Sequence, residues 1–95
     1  MILGINHIGI AVLDIEESLK VFKKIFEIVN LHIETVESQK VKIASFNVGN
    51  VLIELTEPTA EDSPIMKFIQ KKGEGIHHIA FEVDTLVNEL TRLRD

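Results

Sequence analysis

Two histidines occupy matching places in two copies of one short pattern. The stretch Asn6-His7-Ile8-Gly9-Ile10-Ala11-Val12 returns 71 residues later as His77-His78-Ile79-Ala80-Phe81-Glu82-Val83. Behind each comes a helical pattern, in which Ile15 and Leu19 find counterparts at the same spacing in Leu86 and Leu90. Imidazole is a favoured ligand for divalent transition metals. Its recurrence at one position of a repeat points to a site built where two similar modules face each other. Glu54 supplies a carboxylate, projecting from the face opposite Val51, Ile53 and Leu55. Together, two imidazoles and one carboxylate form an open-sided set that leaves positions for a substrate. Taken singly, each residue also has an ordinary reading, a partly buried hydrogen-bonded histidine or a solvated glutamate. His77 is expected to point to the face opposite His78, in a structural or supporting role. His32, Glu34 and Glu82 lie within reach of the same concave face, where solvated roles are expected.

The elements that must position these residues follow from periodicity. Ile8, Ile10 and Val12 alternate with His7, Gly9 and Ala11, the period of two of a strand with unlike faces. Both histidines should point away from the helices, and small neighbours leave room there for a ligand. Asp14 and Glu17 form a capping box ahead of Ile15, Leu19, Phe22 and Phe26, which predicts a helix from Ile15 to about Ile28. Strands are expected around Leu31–Thr35 and Val41–Ala44 and, after the turn signal Val48-Gly49-Asn50, over Val51–Thr56. Ser63-Pro64 opens a short helix ending near Gly73. A strand from Ile76 to Val83 follows, then a helix capped by Asp84 and carrying Val87, Leu90 and Leu93. The chain reads as one α+β domain. A complete βαβββ module covers residues 1–57, a connector with a short helix covers 58–75, and a second module over 76–95 stops after one strand and one helix.

Composition narrows the partners. Ninety-five residues bury a modest core, which makes oligomerisation an early expectation. With 45% hydrophobic and 26% charged residues the chain has a globular balance. No apolar run approaches a membrane span, and no signal peptide is evident, so no membrane partner and a cytoplasmic location are expected. The absence of cysteine removes thiolate sites and leaves imidazole and oxygen as metal donors. A net charge of −5 argues against nucleic acid.

The first histidine segment, with Asp14, resembles the opening of the vicinal-oxygen-chelate superfamily of glyoxalase I, extradiol dioxygenases, bleomycin-resistance proteins and methylmalonyl-CoA epimerases. Ile53-Glu54-Leu55-Thr56-Glu57-Pro58, then Asp62-Ser63-Pro64-Ile65 with Phe68 and Lys71, running into Gly73 to Asp84, resembles the methylmalonyl-CoA epimerase family. The resemblance spans essentially the whole chain. It implies paired βαβββ modules and a divalent metal, cobalt or manganese foremost with zinc or nickel as alternatives. His7, Glu54 and His78 match the metal ligands, and Glu54 is also the catalytic candidate. The family's fourth ligand, a glutamate on the last strand of the second module, falls beyond residue 95, and a base found on the third strand of some members falls at Ile43. The implied reaction interconverts the R and S epimers of methylmalonyl-CoA by removing and returning the C2 proton. An acyl-CoA thioester is the implied substrate, with Lys42, Lys71 or Lys72 as candidates for the CoA phosphates. A homodimer with strand pairing between chains is expected. Three alternatives stay open: a glyoxalase-like metal-dependent lyase, a non-catalytic member that binds metal or a small ligand, and sequestration of a small molecule in an apolar cleft.

Overall fold

The alternating apolar residues do form strands, and the helical stripes cover them. The computed structural model describes residues 1–84. In order it contains β1 (Ile2–Ala11), α1 (Ile15–Ile25), β2 (Val29–Val36), a 3-10 turn (Glu37–Gln39), β3 (Val41–Val48), β4 (Val51–Pro58), α2 (Pro64–Lys72) and β5 (Gly75–Val83). The five strands make one sheet in the order β2-β3-β4-β1-β5. β1 and β4 run parallel, and every other neighbouring pair is antiparallel. The helix expected after Asp84 lies outside the described residues.

α1 lies on the sheet face formed by Ile8, Ile10, Ala44, Phe46, Ile53 and Leu55, burying Ile15 and Leu19 against it. Phe46 is fully buried at the centre, with the Phe22 ring edge-on at 5.8 Å. Burying an aromatic of this size stabilises by about 1.5–3 kcal/mol. The helix N-terminus leaves amides unpaired, and three carboxylates take up those around it. Leu13 N–H donates to Glu74, Ile15 N–H to Glu57, and Glu17 N–H to Asp14. The capping box is therefore half formed, because the Glu17 carboxylate turns to Lys20 instead. The helix also ends at Ile25, short of Ile28. Phe26 is extended (φ −122°, ψ 150°) and stacks on Phe22, so the last two apolar residues of the stripe meet after the helical backbone has stopped.

α2 packs on the opposite face. Ser63 caps it through Ile65 N–H, and Ile65 and Ile69 bury Ala11 and Val41. Ala11 is thus covered, although it lies on the same face of β1 as His7 and Gly9. This corrects the expectation that the histidine face points away from both helices.

Replacing Phe46 with alanine should cost about 3–5 kcal/mol, and Asp14→Ala about 1 kcal/mol, in urea unfolding. Equal small losses at both positions would contradict this placement of the core.

Candidate metal-binding site

The pairing of β1 with β5 is what brings the two histidines together. Their register runs His7↔Ala80, Ile8↔Ile79 and Gly9↔His78, so the repeat folds onto itself around the Ile8/Ile79 pair. Each imidazole therefore stands opposite a small residue of the other strand, and the two rings sit diagonally across a local two-fold. A Cβ placed on Gly9 would lie 2.1 Å from Cε1 of His78. The small residue read from sequence as room for a ligand is room for the second imidazole.

β4 supplies the third group. It runs parallel to β1 with Gly9 beside Glu54, which puts the carboxylate next to the same gap. His7 Nε2 is 3.1 Å from His78 Nε2 and 3.5 Å from Glu54 Oε1. The donor atoms of all three lie within 4.8 Å of one another, and they are the one set of this kind among the described residues. Two ligands bonded at about 2.1 Å to one ion stand roughly 3.0–3.4 Å apart at tetrahedral or octahedral angles. The 3.1 Å between the two Nε2 atoms falls in that range and the 3.5 Å from His7 to Glu54 lies just beyond it, and nitrogen with carboxylate oxygen suits a divalent transition ion. Burial lowers the His78 pKa below its ordinary 6.5, with the His7 and His77 rings adding to the effect and Glu54 opposing it. The neutral, ligating form is thereby favoured.

His77 does not turn to the other face. The register jumps from Gly9↔His78 to Ile10↔Ile76, leaving His77 unpaired in a β-bulge. Its Nδ1 lies 2.9 Å from His78 Nδ1, and its ring meets Phe68 of α2 edge-on at 4.9 Å. A second jump, from Ile5↔Phe81 to His7↔Ala80, leaves Asn6 in a bulge on β1, where its Oδ1 accepts from His7 Nδ1 at 2.8 Å. Sequence reading passed over Asn6, although the repeat already aligns it with His77. His32, Glu34 and Glu82 do not join the cluster.

Beside the cluster is a cavity of about 560 Å³. Glu54, His77 and His78 line it together with Val41, Ile43, Thr56, Pro64 and Ile65, and Ser38, Gln39, Lys40 and Asp62 complete it. Lys40, in a left-handed conformation (φ 56°), pairs with Asp62, and that hydrogen bond and charge hold the Asp62 carboxyl below its usual range. Of the lysines considered from sequence, Lys42, Lys71 and Lys72 are absent from the lining, and Lys40 takes their place. No helix among the described residues is long and apolar enough to cross a membrane.

Gly9→Ala should push the His78 ring out of the cluster and lower cobalt(II) affinity at least about tenfold without unfolding the protein, as judged by circular dichroism and calorimetry. Unchanged affinity would contradict the packing of His78 on Gly9. In a metal-free NMR titration, His78 should have its midpoint below 6.5. A midpoint at or above that value would contradict the partial desolvation of its ring beside His7 and His77.

Comparison with known proteins agrees with this architecture. The sequence profile described as the Glyoxalase/Bleomycin resistance protein/Dioxygenase superfamily matches residues 6–95. The chain is 45% identical over 91 residues to uncharacterized protein YqjC of Bacillus subtilis, covering 96% of this chain and 65% of that protein. It is 37% identical over 83 residues to human mitochondrial methylmalonyl-CoA epimerase, covering 86% of this chain and 47% of the enzyme. Among solved structures, a methylmalonyl-CoA epimerase in complex with methylmalonyl-CoA and NH4+ is similar with a TM-score of 0.78 at 34% identity, over 100% of this chain and 70% of that one. The chain thus spans about half to two thirds of the length of these curated relatives.

Proposed function

The chain belongs to the Glyoxalase/Bleomycin resistance protein/Dioxygenase superfamily, and from that premise we propose that its site serves the proton transfer of a methylmalonyl-CoA epimerase. The observation that carries this reading is the convergence of His7 Nε2, His78 Nε2 and Glu54 Oε1 beside a cavity large enough for an acyl thioester. Likeness to an epimerase solved with methylmalonyl-CoA supports the choice of substrate.

In this reading His7, Glu54 and His78 hold a divalent ion, cobalt or manganese in first place and zinc or nickel as alternatives. When bound, that ion supplies Lewis-acid stabilisation of the charge that builds on a thioester oxygen as the C2 proton leaves. The remaining work falls to side chains. Val41, Ile43 and Ile65 exclude water around the acyl group and strengthen electrostatic interactions at the site. Two carboxylates line the cavity, Glu54 and Asp62. Asp62 is tied to Lys40 and kept ionised, which makes it a weak base. Glu54 meets His7 through Oε1, and its second oxygen can take the C2 proton from one face of the acyl group, while inversion is completed when solvent water delivers a proton to the opposite face of the planar enolate. Ile43 brings no titratable group to the cavity, and of the two carboxylates in the lining Glu54 is the one we assign to proton abstraction. In this reading Lys40, which lines the cavity beside its partner Asp62, meets an anionic group of the substrate.

The proposal includes a second copy of the chain. β2 and β5 are the outer strands of the described sheet, and Ile76, Ile79 and Phe81 on β5 are exposed. Strand edges of this kind favour pairing between chains, most often with two-fold symmetry. Sedimentation should show a dimer, and a monomer at micromolar concentration would remove this part of the proposal.

The test of function is deuterium incorporation at C2 of methylmalonyl-CoA in heavy water, followed by proton NMR with and without cobalt(II). Exchange should require the ion, and Glu54→Ala should slow it by at least about 100-fold. A folded, cobalt-loaded protein that gives no exchange would contradict the epimerase reading.

A further inference from the structure

Each candidate histidine is held from behind by the residue that precedes it. Neighbours in a regular strand point to opposite faces, so neither contact would form without the two bulges that leave Asn6 and His77 unpaired. The bulges fall at repeat-equivalent positions, and their side chains meet the same atom of the next residue. Asn6 Oδ1 lies 2.8 Å from His7 Nδ1, and His77 Nδ1 lies 2.9 Å from His78 Nδ1. We propose that Asn6 and His77 are a matched pair of positioning residues, each holding the following imidazole by its Nδ1 so that Nε2 faces the site. The proposal rests on the metal-holding reading of His7, Glu54 and His78.

The two holders differ in a way the geometry explains. The Asn6 oxygen only accepts, so His7 keeps its hydrogen on Nδ1 and presents a lone pair at Nε2. His78 Nε2 stands 3.1 Å from that lone pair. In the ion-free protein His78 satisfies it by carrying its hydrogen on Nε2, and its own Nδ1 then needs a donor. With an ion bound, both Nε2 atoms must present lone pairs, so the hydrogen of His78 resides on Nδ1 and needs an acceptor. A neutral imidazole serves either need by exchanging its own tautomer, and His77 does so while Phe68 fixes its ring plane. The hydrogen bond between His77 and His78 therefore survives ion binding with its direction reversed. Partners of this sort orient metal-ligating histidines, and their loss typically lowers metal affinity by about 10–100-fold.

The experiment uses the full chain with 15N-labelled histidine, zinc(II) as a diamagnetic probe, long-range proton-nitrogen correlation spectra and calorimetry. In the wild type, His78 should carry its hydrogen on Nε2 without zinc and on Nδ1 with it. His77→Phe keeps an aromatic ring against Phe68 but offers no hydrogen bond, and should bind zinc about tenfold or more weakly. His77→Asn copies the holder of the first module and should stay within about threefold of wild type, a rescue that a merely structural role would not give. Wild-type affinity in His77→Phe, or a His78 hydrogen that stays on Nε2 in the zinc-loaded protein, would overturn the proposal. If the wild type takes up no zinc, the metal reading fails, and the ion-free spectra still decide the role of His77. A single His78 tautomer in wild type and His77→Asn against a mixture in His77→Phe would uphold it, and one unchanged tautomer in all three would overturn it.

Discussion

The antiparallel pairing of β1 with β5 around Ile8 and Ile79 is the constraint on which the site depends. Two segments with the same pattern, run antiparallel, place equivalent residues symmetrically about the pair at the centre. A histidine one residue from that centre in each copy then meets its counterpart diagonally, and the 3.1 Å gap between the two Nε2 atoms is the result. A shift of one residue would turn one imidazole to the α1 face and dissolve the cluster. The packing of Ile8, Ile53 and Leu55 against Ile15 and Leu19 specifies the register of β1 on β4, which sets Glu54 beside Gly9, because a slip there exposes these residues.

Close approach of two imidazoles needs both space and hydrogen-bond partners, and the sheet supplies each by departing from regularity. Gly9 gives up its side chain where His78 lies, and a Cβ there would overlap the ring. The bulges at Asn6 and His77 sacrifice ladder pairing at two residues and gain a side-chain hydrogen bond to each histidine. Irregularities of this kind are concentrated beside functional sites because they aim side chains that a regular pleat would turn away. α2 completes the arrangement from above the sheet, with Ile65 and Ile69 closing one end of the concave face over Ala11 and Phe68 bracing His77.

Much of this was legible in the sequence. The repeat located His7 and His78, the alternation along β4 put Glu54 on their face, and the caps Asp14 and Ser63 marked both helix starts. What stayed hidden was non-local. A bulge depends on how two strands compete for register, so the pleat rule applied to His77 alone gave the wrong face. Ser63-Pro64 marked where α2 begins but not that Ile65 and Ile69 pack it on the histidine side. Lys40 reaches the cavity from a left-handed turn position, where glycine or asparagine is the usual occupant and lysine gives no signal. Gly9 did attract notice, and only the register could say that its missing side chain accommodates another residue of the chain.

The central claim is that His7, His78 and Glu54 bind one ion together. X-ray absorption on the cobalt(II)-loaded protein tests it most directly, because imidazole rings leave a distinctive multiple-scattering signature. The expected spectrum has two imidazole nitrogens at about 2.1 Å with oxygen donors filling the remaining positions, and His7→Ala or His78→Ala reduces the count to one. A spectrum with oxygen donors alone, or one unchanged by either substitution, would contradict the account.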